Sequence, residues 1–246
     1  MKNHVPVGMN LLFNIAVLIL WFLPGAARAE LSVSLYSGFS STYPSDLEIT
    51  DKDRLHLFLR DVRWKNESFR YPPYYGLRIT YWRDKLPRAG FGLDFTHTKA
   101  VTDPQQRIKV SGDRGGTPVD EIEPIEQTAQ NLSFSHGLNF IMFNLYYRWH
   151  PEADFRPHAG IGAGILLPHV EGRIENSSSD EFRYGGTAVQ ILGGFEATLV
   201  PALSLFAEYK LHYAWLDTFF NNDVTLSSRL WTHQFALGLS LAIQTK

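Results

Sequence analysis

Apolar and polar residues alternate with period two in eight segments of barrel-strand length. In the first, Leu31, Val33 and Leu35 alternate with Ser32, Ser34 and Tyr36. The second, Tyr74–Trp82, sets Tyr75, Leu77, Ile79 and Tyr81 against Gly76, Arg78 and Thr80. The third, Gly90–Ala100, sets Phe91, Leu93 and Phe95 against Gly92, Asp94 and Thr96. Leu138–Trp149, Arg156–Val170, Ala188–Val200, Leu203–Trp215 and Trp231–Ile243 continue the pattern. The apolar face is the long one, while the other carries Gly, Ser, Thr and charges. A soluble sheet would turn its large apolar residues to a core and leave the glycine-rich face to water. A strand in a bilayer does the reverse, with hydrocarbon outside and a polar lumen within.

The connections alternate in length. Residues 83–89, 150–155 and 201–202 are short, whereas 42–73, 101–136, 171–187 and 216–230 are long. Short periplasmic turns opposite long external loops mark outer-membrane barrels. The fold predicted is all-β, an eight-stranded antiparallel transmembrane β-barrel with long extracellular loops, in the outer membrane of a Gram-negative cell. Leu55–Trp64 also alternates and would make nine strands. Bacterial single-chain barrels are even-numbered, so this segment is placed in the first external loop, as an extension above the membrane. Residues 101–136 hold Gly112, Gly115, Gly116, Pro118 and many charges, and read as a mobile loop.

The N-terminus changes the picture only by adding export. Leu11–Leu23 is an apolar run broken by Asn14, Pro24-Gly25 follows, and Ala27-Arg28-Ala29 matches a cleavage site. Residues 1–29 are expected to be a signal peptide and residues 30–246 the barrel. The chain has 23 basic and 25 acidic residues, a net charge of −2, which is no footprint for nucleic acid. It has no cysteine, so disulfides do not hold it together. Its 11 Tyr, 6 Trp and 17 Phe suit aromatic girdles at two membrane interfaces. The partners expected are outer-membrane lipids, lipopolysaccharide and the barrel-assembly machinery, with the barrel itself a monomer. The chain ends Gln244-Thr245-Lys246 and lacks the terminal Phe usual in such barrels.

Candidate chemistry falls into two sets. His97, His136, His169, His212 and His233 all lie near the external strand ends. His97, His169, His233 and Lys99 share the lipid-facing phase, His212 points inward, and His136 sits at a loop junction. This could be a rim site for lipopolysaccharide, or ordinary residues at headgroup height. Arg78, Asp94, Arg148, His158, Glu196, Glu208 and Lys210 point into the lumen. Side chains just fill an eight-stranded barrel, so these charges must pair with one another or with trapped water. Gly160, Gly162 and Gly164 leave room for bulky partners such as Tyr146 and Phe206. No Gly-rich phosphate loop, His-Glu-x-x-His or paired-Cys motif occurs.

Two stretches carry a resemblance. They are Ser68-Phe69-Arg70-Tyr71-Pro72-Pro73-Tyr74-Tyr75-Gly76-Leu77-Arg78-Ile79-Thr80-Tyr81-Trp82 and Gly90-Phe91-Gly92-Leu93-Asp94-Phe95-Thr96-His97-Thr98-Lys99. The chain resembles the outer-membrane β-barrel family that includes the lipid A oxidases, most densely over residues 64–100. That resemblance implies oxidation of the proximal glucosamine of lipid A to 2-aminogluconate, with oxygen as co-substrate. It assigns no catalytic residue, so the candidates come from chemistry. His97 and His169 are the first choice as base or metal ligands, and Asp94 and Glu208 are an interior second choice. Lys99 is placed to pair a lipid phosphate. Tyr74 and Tyr75 are placed at the outer interface, and Arg78 beside the substrate set. No side chain of a cysteine-free chain is an obvious two-electron acceptor, so a divalent or redox metal held by His and carboxylate is the simplest cofactor. The competing function is a non-enzymatic barrel whose external loops protect the surface, adhere or bind a partner. Conduction of small solutes is disfavoured by so narrow a barrel.

Overall fold

The computed structural model describes residues 30–244 except 53, 84 and 222. The expected signal peptide lies outside the described residues. Eight antiparallel strands close a ring: β1 (Glu30–Thr42), β5 (Tyr75–Arg83), β6 (Leu86–Thr102), β9 (Gln130–Arg148), β10 (Phe155–Ile174), β12 (Gly186–Val200), β13 (Leu203–Phe219) and β14 (Val224–Gln244). β1 pairs with β14 from Glu30↔Gln244 to Thr42↔Thr232, so the sheet has no open edge within the ring. All eight segments predicted from alternation are here, and most run further upward than the pattern shows.

The outer face of the ring is an apolar belt. Leu35, Phe143, Leu145, Ile161, Ile191, Leu237 and Leu241 are all exposed. Tyr81, Tyr147, Trp149 and Phe155 edge the belt on the side of the short turns. Tyr43, Tyr75, Tyr213 and Trp231 edge it on the other side. An apolar belt between two aromatic girdles is the surface that hydrocarbon and headgroups select. No helix among the described residues is long and apolar enough to cross a membrane. The ring of strands is the part that spans.

Small residues on the inner face let the ring close around bulky ones. A Cβ at Gly76 would collide with the Tyr36 ring, and one at Gly162 would stand 1.9 Å from Asn144 Oδ1. The predicted role of the inward glycines as packing space therefore holds. The lower lumen keeps a cavity of about 20 Å³ among Ser34, Arg78, Tyr146 and His158, room for about one water.

Above the belt the long connections fold rather than hang loose. β2 (Ser45–Asp51) pairs with the upper end of β14, β3 (Leu55–Val62) pairs with β2, and β7 (Arg107–Arg114) pairs with β3. β8 (Thr117–Pro124) completes this roof as a hairpin with β7, and β4 (Trp64–Lys65) pairs with the top of β6. β11 (Ser177–Phe182) folds back on β10. Leu55–Trp64 is thus paired above the membrane, as its alternation and the even strand count predict. The mobile loop expected over 101–136 is not there. Instead the segment extends β6, makes the β7–β8 hairpin and a helical turn, Ile125–Thr128, and starts β9. Gly115 and Gly116, at φ +63° and +82°, form the hairpin turn. Ile108, Val110 and Val119 are buried under the roof, and that burial orders the segment. The roof's core continues into the barrel mouth through Leu47, Leu57, Leu59, Phe134, Phe140 and Leu226.

Two outcomes follow from this layout. Ile161→Lys puts a charge in the belt at a cost of about 2–4 kcal/mol near mid-bilayer. Its yield of heat-modifiable folded barrel in vesicles should drop, while Gly193→Leu, on the same face with open space around its Cβ, should fold normally. Equal yields would mean that the belt does not face lipid. A protease site inserted at Gly115 should be cut on intact cells and one at Glu152 should not, and the reverse pattern would invert the orientation.

Candidate functional site

The two faces of the wall separate the sequence candidates into two groups. Asp94, Glu208, Arg78 and Tyr74 face the lumen, whereas His97, His169, Lys99 and Tyr75 face outward near the rim.

The lumen group is a closed ion network. Arg78 lies directly opposite Asp94 on the β5–β6 ladder, with Nη2 3.0 Å from Asp94 Oδ2 and Nη1 3.0 Å from Glu208 Oε2. Lys210 Nζ donates to Asp94 Oδ2 at 2.7 Å and to Tyr36 Oη at 2.7 Å. His158 Nε2 lies 2.9 Å from Glu208 Oε2. All six charged or titratable groups, Tyr36 included, are buried. Two cations face two carboxylates, so the charges balance without solvent. Arg148 bonds Glu30 and Arg156 bonds Glu196 nearer the short turns. The network fills the lumen and leaves no room for a sugar beside Asp94 or Glu208. The charges pair with one another, as expected.

Tyr74 departs from its expected place at the outer interface. It is 1% exposed and donates to Gln234 Oε1 at 3.0 Å inside the ring. It lies in phase with Gly76 and Arg78, so strand alternation carries it inward. Tyr75 does face outward and is half exposed.

The outward group is more crowded than lipid-facing phase suggests. His97 lies on the outer side but is 3% exposed. Tyr75 stacks on it at 4.9 Å, and its Nδ1 meets Asn139 Oδ1 at 2.8 Å. Asn139 in turn donates to the Leu167 carbonyl at 3.0 Å. Lys99, expected as a free headgroup cation, is covered instead. It is 4% exposed, and its Nζ donates to the Arg70 and Tyr71 carbonyls at 3.1 and 3.2 Å. The Ser68–Pro73 segment lies over it, and exposes Phe69, Arg70 and Tyr71 instead. The exposed cation of this segment is Arg70, which pairs with Glu67 at 2.6 Å.

His169 finds a partner other than His97. Its Nδ1 is 3.1 Å from Glu171 Oε1, and the same oxygen meets Nδ1 of His136. The three ligand atoms lie within 4.8 Å of one another. Glu171 Oε2 accepts from Ser135 Oγ at 2.7 Å and Ser133 Oγ at 3.4 Å. Burial pushes the Glu171 carboxyl up, but the hydrogen bonds from Ser135 and His136 outweigh it and hold the pKa below the ordinary range. The pairing predicted for His97 and His169 is thus replaced by His136, His169 and Glu171. Strict alternation from Leu138 and Phe140 would turn His136 inward. A bulge reverses it: Ser135–Gly137 of β9 face the single residue Lys99 of β6. The signal available in the sequence is His169-x-Glu171, two liganding types on one face of one strand.

The arrangement defines the chain as an eight-stranded outer-membrane β-barrel with a folded external roof and a polar patch on the outside of its rim. No family model matches the chain, and no curated protein matches it. Among solved structures it is similar to Neisserial surface protein A at 11% identity and TM-score 0.43, over 89% of this chain and 99% of that one. It is also similar to a major outer membrane protein from Thermus thermophilus, at 12% identity and TM-score 0.42, over 88% and 100%. AlkL, solved in DMPC lipid bilayers, matches at 16% identity and TM-score 0.41, over 100% and 98%. The class rests on the closed ring and its belt.

The lumen network makes its own prediction. Arg78→Met removes the guanidinium that bridges Asp94 and Glu208 and leaves Lys210 as the one permanent cation against two buried carboxylates, a loss of about 3–5 kcal/mol. The urea midpoint of the barrel in vesicles should fall. An unchanged midpoint would mean that water enters and screens the network.

Proposed function

We propose that the chain is a lipid A-modifying enzyme that oxidises the proximal glucosamine of lipid A to 2-aminogluconate with oxygen, working at the outer rim. One observation carries the proposal: a polar patch with three imidazoles, a carboxylate and an exposed Arg lies on the lipid side of the wall, just above the apolar belt. A lipid of the outer leaflet presents its sugar and phosphates at that height. The resemblance over residues 64–100 supports the same reading, because its two stretches supply Arg70, Tyr75 and His97 to this patch. Arg70 and the exposed Phe69 and Tyr71 rings suit a phosphorylated sugar above acyl chains.

The reaction needs a base near the anomeric hydroxyl and a sink for two electrons. Loss of the anomeric C–H and O–H hydrogens with two electrons gives the lactone. Dioxygen, taking those electrons and two protons, leaves as hydrogen peroxide. Water then opens the lactone to the acid, and the lipid gains one oxygen atom overall. His136 is the exposed imidazole of the patch and can take the proton. A redox metal, when bound, would supply the electron path to oxygen. His97 is covered and positions Tyr75 and Asn139 rather than touching substrate.

A second reading has its own observation. The roof is folded, and Asp46, Glu48, Phe58, Arg60 and Arg229 line an open groove of about 420 Å³ on it. A surface of that kind suits a non-enzymatic barrel that binds a partner. Mass spectrometry of lipid A separates the two. Cells carrying the gene should show lipid A heavier by one oxygen, and cells carrying His136→Ala should not. Asp94→Asn, where folded, should keep the product. Lipid A of unchanged mass with the gene expressed and folded would remove the enzymatic reading.

A further inference from the structure

The outer wall of β9 and β10 carries a constellation of liganding side chains near the rim. Glu171, His136 and His169 converge from two strands and a bulge, and their ligand atoms lie within 4.8 Å of one another. A structural ion pair would use one imidazole per carboxylate oxygen. Here His136 Nδ1 bonds Oε1, while His169 Nδ1 lies 3.1 Å from the same oxygen without hydrogen-bond geometry. His169 Nδ1 is buried with no hydrogen-bond partner. A buried nitrogen without a partner is costly, and a ligand is one way to satisfy it.

We propose that His136 Nδ1, His169 Nδ1 and Glu171 Oε1 form a binding site for a divalent first-row transition metal on the outside of the barrel wall. The donor chemistry is two neutral imidazoles and one carboxylate. That set binds zinc or iron(II) in proteins and leaves positions open for water or substrate. Ligands about 2.1 Å from a common ion stand roughly 3–4 Å apart. The His169–Glu171 separation of 3.1 Å already fits, and small rotations of the exposed His136 ring bring the third ligand to the same point.

The surroundings match what metal sites need. Ser133 and Ser135 hold Glu171 Oε2, so Oε1 is fixed toward the two rings. On the far side of the His169 ring, Nε2 faces Asp180 Oδ1 at 3.6 Å. At that distance the exposed Asp180 carboxylate is a nearby counter-charge to the ring and not a hydrogen-bond partner. Phe182 packs edge-on against His169 at 4.5 Å, so the β11 hairpin shields one side. His97 does not belong to the converging group of ligand atoms, and its Nδ1 is engaged by Asn139 and its ring by Tyr75. Hard calcium or magnesium would want more oxygen donors than this patch offers.

The site stands on geometry and does not depend on lipid oxidation. Its test therefore reads metal and not product. The full chain, folded in detergent and stripped with chelator, is titrated with Co²⁺ under calorimetry, and its visible absorption is followed. Wild-type protein should bind one equivalent and develop ligand-field bands in the visible. His136→Ala lies on the exposed surface and leaves the barrel intact, as gel mobility with and without heating will show. It should weaken binding at least tenfold and lose the bands, and so should Glu171→Gln. His97→Ala should bind as wild type does. Ser135→Ala, which frees one side of the carboxylate, should weaken binding about 10- to 100-fold. Absence of saturable binding by the folded wild-type chain would overturn the site. Binding unchanged in His136→Ala and Glu171→Gln, or abolished by His97→Ala, would overturn it too. Zn²⁺ competing for the same equivalent would support it, and lipid A analysis of the same variants tests the oxidase reading separately.

Discussion

What lies outside the wall changes from hydrocarbon to water partway up each strand, and the barrel answers by exchanging the polarity of its two faces. Along β9, the outward residues Phe143, Leu145 and Tyr147 are exposed to lipid, while Asn144 and Arg148 are buried in the lumen. A few residues higher, Leu138 and Phe140 face inward and are fully buried, and Asn139 faces outward. The strand keeps its phase from Arg148 up to Leu138. Only the chemistry of the positions reverses, because apolar area gains by leaving water but has nothing to gain against lipid. Everything above the belt follows from that reversal. The inner faces of the tall strands need an apolar lid, and the roof supplies Leu47, Ile49, Leu57 and Val110 to meet them.

The same constraint explains why the two groups of candidate residues have different fates. A charge in the lumen has no bulk solvent, so it must be fully partnered, and Arg78, Asp94, Glu208 and Lys210 partner one another. Such groups are already committed and closed in by the roof's core above. A charge at the rim still touches the headgroup layer and can be left partly unpaired at modest cost. Side chains free to meet a molecule of the outer leaflet are therefore those outside the wall, and not those inside, where the strongest charges are.

The membrane part of the fold is legible in the sequence because the rule that generates it is local. Alternation over about ten residues, with lengthy and brief connections in turn, is enough to place eight strands and their faces. The roof is not legible, because Gly112, Gly115 and charges such as Arg114 and Glu121 in 101–136 outweigh the Ile108, Val110 and Val119 spacing that pairs β7 and β8. Tyr74 is readable by the same alternation, but its neighbour Tyr75 draws it to the wrong face. Lys99 and His97 have the phase that alternation gives them. Their burial comes from Ser68–Pro73, a segment some thirty residues earlier in the chain for which no periodicity gives a position.

The rim cluster shows what periodicity cannot supply. Two strands in unbroken register would place His136 on the lumen side and His169 on the lipid side, with the wall between them. The bulge at Ser135–Gly137 turns a short piece of β9 over. Gly137 can take φ +139°, and a Cβ there would strike the Asn139 side chain. Interrupting the ladder costs backbone hydrogen bonds, and a purely structural strand gains nothing by it. The interruption delivers His136 and the Ser135 hydroxyl to the one carboxylate that His169 also faces. The irregularity interrupts the wall at the same place where it completes a constellation of donors, which is where metal binding is proposed.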